Sequence, residues 1–266
     1  MRTYTLRTLL IITALIAVFG GIAITSWRQV QQASLKSQCG LNLRQIGIGL
    51  LNFESAHGRL PQAIETTLDG KHWRSWRSHL PSFLESGPLI YDETSAWDSP
   101  KNLRLLQGLP IEVTQKDGTP ILMTVETVPY MFACPLARNR NCDYTTYVVV
   151  VGEETAFPDS RSVRLDDIED GLENTILLVE SVTCRPAWTE PRDLDFASMD
   201  FRINSFSGPS ISSFHPDGAF VCFADGKVFF VTTAIEEHEL KALLTIAGGE
   251  NVTRADLTAR GILIQR

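Results

Sequence analysis

From Thr8 to Trp27 the chain reads TLLIITALIAVFGGIAITSW, an uncharged run bracketed by Arg7 and Arg28. A helix of about 20 such residues rises roughly 30 Å, the thickness of a bilayer's hydrocarbon core. Beyond it the pattern narrows to one face. Leu43, Ile46, Leu50 and Phe53 recur at helical spacing, and Gly58 and Pro61 supply a stop. One continuous helix from Thr8 to His57 is expected, half in lipid and half laid on a soluble lobe, with Gly20-Gly21 and Gly40 as sites for a kink. A cleaved signal peptide is the competing reading. Its apolar part usually runs only about 7–15 residues before a small-residue site, whereas this run is longer and Ala23-Ile24-Thr25 imitates such a site poorly. A retained anchor is therefore expected. Arg2 and Arg7 on the short tail favour an N-terminus left inside, against the weaker pull of Arg28, Lys36 and Arg44. That places a single-pass protein in the inner membrane with its lobe periplasmic or extracellular.

Further along, alternating and continuous apolar runs predict strands. IEVTQ and TPILMTV, within Ile111 to Thr127, flank Lys116-Asp117-Gly118 as a hairpin. Tyr144 to Val151 and Thr175 to Ser181 are apolar on both faces, which predicts central strands. Ala219 to Val231 holds two β-rich runs joined at Asp225-Gly226, read as a two-residue hairpin turn. Helices are expected from Trp76 to Glu85, closed near Gly87-Pro88, and from Ile235 to Ile246, closed at Gly248-Gly249. Thr253 and Asp256 have capping-box-like spacing for one more. The fold class is α+β: a long N-terminal helix packed on a lobe with a mostly antiparallel sheet. The plan is a stub (1–7), a span (8–27), its continuation (28–57), the lobe (58–250) and a C-terminal extension (251–266).

Charge and cysteines add limits. A net charge of −7 without a Lys/Arg cluster argues against a nucleic-acid surface. Five cysteines occur, Cys39, Cys134, Cys142, Cys184 and Cys222. In an exported domain Cys134 and Cys142 can close a short loop as a disulfide, and an odd total leaves a thiol over. Cys222, inside AFVCF, reads as a small buried hydrophobe. No C-x-x-C or His pair has zinc spacing, and no motif calls for a cofactor or metal. The acidic run Arg164 to Asn174 resembles a calcium loop, but Ile168 and Leu177 stand where the third and twelfth positions need ligands, so a solvated turn is expected. Trp73, Trp76, Trp97 and Trp188 pack in the core or, on the sharper reading, stack against a ligand such as an envelope glycan.

Several phrases together resemble one family. They are CGLNLRQIGIGLLNFESAHGRLP (Cys39 to Pro61), SWRSHLPSFLE (Ser75 to Glu85), WDSPKN (Trp97 to Asn102) and Cys134-Pro135. TTYVVVVGEETAF (Thr145 to Phe157), IEDGLENTILLVE (Ile168 to Glu180), WTEPRDLDF (Trp188 to Phe196) and LKALLTIAGGE (Leu240 to Glu250) follow. His215, nine residues and Asp225-Gly226 complete the set. The chain is similar to the planctomycete-type, prepilin-like family of unknown function that carries this His-x9-Asp-Gly motif. The resemblance implies a pseudopilin-like subunit with an exposed lobe and no firmly attached enzymatic activity. One departure stands out. Thr3 replaces the Gly after which prepilins are cut, and Thr8 replaces the Glu that resembles the one pairing with a neighbouring subunit's amine in pilins. A permanently anchored single subunit is the economical inference, with pilin-like subunits or an envelope glycan as partners.

The motif itself invites a catalytic reading, which geometry opposes. If Ala219 to Ala224 is extended, His215 and Asp225 are separated by roughly 20–30 Å, far beyond the hydrogen-bond contact that acid–base partners need. A structural role is expected for His215, Asp225 and Gly226, and no catalytic residue is assigned.

Overall fold

The computed structural model describes residues 6–265 apart from 85–90, 93, 108, 115–116, 124–127, 139–143 and 160. Helix α1 runs unbroken from Leu6–His57, through Gly20-Gly21 and Gly40. From Thr13 onward it is long and apolar enough to cross a membrane by length and composition. Its two halves differ in exposure. Leu15, Ile16, Val18, Phe19, Ile22, Ile24, Trp27 and Val30 are exposed, whereas Cys39, Leu43, Ile46 and Leu50 are wholly buried. The stripe at spacings of four, three and four is the face that α1 lays on the lobe. Gly47 permits the close approach, because a Cβ there would stand 2.5 Å from Cys222 Sγ.

After α1, strands β1 (Ile64–Thr66) and β2 (His72–Ser75) form a small hairpin. The helix expected over 76–85 is replaced by two 3-10 turns, Trp76–His79 and Pro81–Phe83. Pro81 has no N–H to continue the first, and Glu85 and Gly87-Pro88 lie outside the described residues. Helix α2 (Pro100–Leu106) is capped by Ser99, whose Oγ accepts from Asn102 N. The hairpin of β3 (Ile111–Thr114) and β4 (Pro120–Met123) follows as expected, with Lys116 of its turn outside the described residues. Then come α3 (Pro135–Arg138), β5 (Tyr147–Val148), β6 (Val150–Val151), β7 (Ile176–Glu180) and β8 (Leu194–Asp195). Two carboxylates of the acidic run bind backbone N–H groups: Asp167 accepts from Arg164 N at 2.9 Å within the run, and Asp170 accepts from Gly248 N and Gly249 N at 2.8 and 3.0 Å across the fold.

The lobe is organised by an antiparallel sheet of order β11-β10-β9-β7-β5, with β9 (Gly218–Phe223), β10 (Val228–Thr232) and β11 (Leu263–Gln265). Alternation assigns its faces. Phe220, Cys222, Val228 and Phe230 join the core beneath α1. Val221, Phe223, Phe229 and Val231 join a second core with Leu240, Leu243 and Leu244 of α4 (Glu237–Leu244) and Leu257 of α5 (Arg254–Ala259). Helices on both faces explain why these strands read apolar throughout. The strand expected over 144–151 is not a single central one. Its first part, β5, is the sheet's edge, and β6 pairs in parallel with β8. The split falls at Val149, whose N–H goes to the Asp193 carboxylate and whose C=O takes Leu194 N. The segment expected as a C-terminal extension supplies the other edge strand, and Thr253 caps α5 through Asp256 N.

Candidate functional site

The motif hairpin is present, but its loop differs from the two-residue turn expected. Phe223 N donates to Lys227 O and Gly226 N to Phe223 O, which leaves three residues, Ala224, Asp225 and Gly226, in the loop. Gly226 at φ +78° takes the left-handed position that closes a type I turn with a bulge. Asp225 accepts from Lys227 N at 3.1 Å and is gripped by Arg254 at 2.8 Å. Burial opposes its ionisation, yet the hydrogen bonds of Arg254 and the Lys227 backbone outweigh it and hold its pKa below the usual range. Asp225 thus ties the hairpin tip to α5.

At the opposite end of β9, His215 is buried, with its ring edge-on to Phe220 and near Phe230. Its C=O accepts from Asn204 Nδ2 at 2.8 Å, and its N–H donates to Ser213 Oγ at 2.9 Å. Burial, reinforced by the charge of Lys36, lowers its pKa to about 4. The ring is therefore neutral at pH 7. His215 and Asp225 do not meet, as expected from an extended strand between them.

His215 instead faces a group the sequence did not bring together. Cys134, expected opposite Cys142, is bonded to Cys39, 95 positions away; Cys142 lies outside the described residues. The correction has a physical cause: the α1 face places Cys39 against the Cys134 turn, with Cα atoms 4.8 Å apart, inside the range a disulfide requires. Tyr147 Oη donates to Cys39 O at 3.0 Å, and Cys134 N to Thr146 Oγ1 at 2.8 Å. His215 Nε2 stands 4.0 Å from Cys134 Sγ. Glu180, at the end of β7, completes the group. Its Oε2 accepts from Phe220 N at 3.3 Å, while Oε1 is buried without a hydrogen bond. Burial raises its pKa to about 8, against the pull of the Phe220 N–H and Lys36. One ligand atom each from Cys39, Cys134, Glu180 and His215 lies within 4.8 Å of all the others. No local spacing announces the set, because its members come from four separate elements.

The tryptophans do not form a platform. Trp76 is fully buried and donates Nε1 to Asp193 at 3.1 Å; Trp188 is buried against Phe132. Trp73 and Trp97 are half-buried, and Trp97 N donates to Trp73 O. Trp97 lines a cleft of about 290 Å³ shared with His72, Asp159, Glu190, Arg192 and Asp195. Beneath it Arg77 and Asp193 form an ion pair at 2.5 Å with both side chains inaccessible.

The fold and these sites define a helix-tethered α+β lobe, clasped to its tether by a buried disulfide. The family described as "SBP_bac_10: Protein of unknown function (DUF1559)" matches residues 28–201, and the chain belongs to it. No curated protein and no solved structure matches. The match ends before His215, so the His-x9-Asp-Gly motif lies outside it.

Proposed function

We propose that this chain is a non-enzymatic, membrane-anchored envelope protein of pilin-like plan. The apolar half of α1 holds the lobe at the inner membrane, N-terminus inside, and the lobe faces the periplasm or cell exterior. The observation that carries this reading is the change of exposure along α1, from bare apolar side chains at Leu15 to Val30 to a buried stripe from Cys39 on. In water so large an apolar surface invites association; in hydrocarbon it is solvated. Ala17, Gly20, Gly21 and Ala23 form the small-residue surface along which such helices approach one another in lipid. A Cβ at Gly20 or Gly21 would meet nothing within 4 Å. Thr3 and Thr8 favour a subunit that stays anchored rather than one processed into a filament. The non-enzymatic part of the reading rests on His215 and Asp225, each engaged at its own end of β9.

The test is alkaline extraction of native membranes followed by intact-mass measurement. Retention in the membrane pellet at or near 29.6 kDa is expected. A soluble form beginning near Ser26 overturns the anchor. The cleft at Trp97 favours a second role, binding of an envelope glycan or similar polar solute: an indole beside carboxylates and a guanidinium suits a sugar's faces and hydroxyls. An oligosaccharide-induced thermal shift lost in Trp97→Ala supports that role, and no shift with any glycan removes it.

A further inference from the structure

The buried group of Cys39, Cys134, Glu180 and His215 is not used by the anchor or by the cleft. Two sulfurs, an imidazole and a carboxylate are the donors that hold zinc in tetrahedral sites. With bonds of about 2.0–2.3 Å, such ligands stand roughly 3.3–3.8 Å apart. The widest separation here, 4.8 Å, closes to that with side-chain movements of about 1 Å. Only the sulfur–sulfur edge is too short, because it is a covalent bond. A second observation points independently to a ligand: Glu180 is wholly buried, yet Oε1 has no partner. We propose that the chain with this disulfide reduced binds one zinc-class divalent cation through Cys39, Cys134, Glu180 and His215, so that bond and metal are alternative clasps between α1 and the lobe.

The chemistry balances with a dithiol as reductant. Its two electrons and two protons break the S–S bond and leave two thiols, while the reductant becomes a disulfide. The cation then displaces both thiol protons and the Glu180 proton to solvent. Two thiolates and a carboxylate against a divalent cation leave one net negative charge, which Lys36, already acting on Glu180 and His215, opposes. His215 is held neutral, the state in which imidazole ligates. The other cysteines described, Cys184 and Cys222, belong to neither clasp; both are free.

Cobalt(II) is the probe, added to the full chain in mild detergent before and after reduction by a dithiol that is then removed. One equivalent is expected to bind only after reduction, with a thiolate-to-cobalt charge-transfer band that zinc abolishes. Cys39→Ser should remove the band and Cys184→Ser should keep it. Glu180→Gln and His215→Ala should each weaken binding by more than the roughly 10–100-fold that loss of an outer-shell partner costs. A reduced, folded chain without the band, or a band that survives Cys39→Ser, overturns the proposal. Should reduction unfold the chain, refolding it with one equivalent of zinc decides the matter: recovery of near-ultraviolet circular dichroism supports the site, and failure to recover it refutes the site.

Discussion

Replacing Arg77 with Met leaves Asp193 as a carboxylate in a site that water does not reach. The Arg77 guanidinium donates to Asp193, Ser75 Oγ, Tyr147 O and Glu190 O, and Asp193 also accepts from Trp76 Nε1 and Val149 N. Removing one partner of a buried pair costs about 3–5 kcal/mol. The carboxyl can escape by taking a proton, and that sets a ceiling. At pH 7, protonating a group with a reference pKa near 3.9 costs about 4 kcal/mol, at roughly 1.4 kcal/mol per unit. The sign follows. Burial already holds the Asp193 pKa above its usual value in the parent, against the pull of Arg77; in Arg77→Met it rises further, so the variant loses additional stability as pH rises. The deficit relative to the parent is therefore expected at about 3–4 kcal/mol at pH 7, bounded above by that ceiling, and should shrink toward pH 5. For a lobe of this size 4 kcal/mol is a drop of about 8–16 °C in Tm. Trp76 touches the site, so thermal unfolding followed by tryptophan fluorescence reads it directly. Arg77→Met/Asp193→Asn keeps an acceptor without the charge and should recover the pH-dependent part. A deficit below about 1 kcal/mol at pH 7, or a double variant no better than the single one, refutes the reasoning.

Three other outcomes are expected. In the oxidised chain, Glu180, raised to about 8, retains its proton while the unfolded chain has lost it, so it makes stability fall as pH rises. His215, lowered to about 4, works the opposite way below about 6.5, and the two offset each other between about 4.5 and 6.5. Glu180→Gln should abolish a decline of about 2 kcal/mol between pH 6.5 and 8, measured as the difference in unfolding free energy at the two pH values. Cys39→Ala should cost up to about 4–5 kcal/mol in the unfolding free energy, the chain-entropy figure for so long a loop; a cost below about 1 kcal/mol contradicts the clasp. Gly226→Ala should lower stability by about 1–2 kcal/mol through its left-handed backbone, read from the same melts, with the hairpin's amide exchange quickened.

Most local signals are legible in the sequence and long-range ones are not, although the helix pattern over 76–85 yields two 3-10 turns. The ends of α1, the β9–β10 hairpin and the Thr253 cap each depend on residues a few positions apart, where spacing and turn chemistry act directly. The partner of Cys134 depended on how α1 docks, which no local pattern encodes. Likewise Tyr144 to Val151 reads as one strand until Asp193, more than 40 positions on, takes the N–H of Val149. Trp76 and Trp188 read either as core residues or as ligand platforms because indole serves stacking and core packing equally; only burial tells the two apart. The loop at Asp225-Gly226 is one residue longer than its sequence suggests because Asp-Gly suits both two-residue turns and three-residue loops with a bulge.

Because β11 lies beside β10, the sheet cannot be completed until a segment about 200 residues beyond the end of α1 has been made. The helix made first waits for strands that emerge more than 150 residues later, and contacts so distant along the chain assemble slowly. The half of α1 that docks on the lobe is thus made well before the strands that receive it.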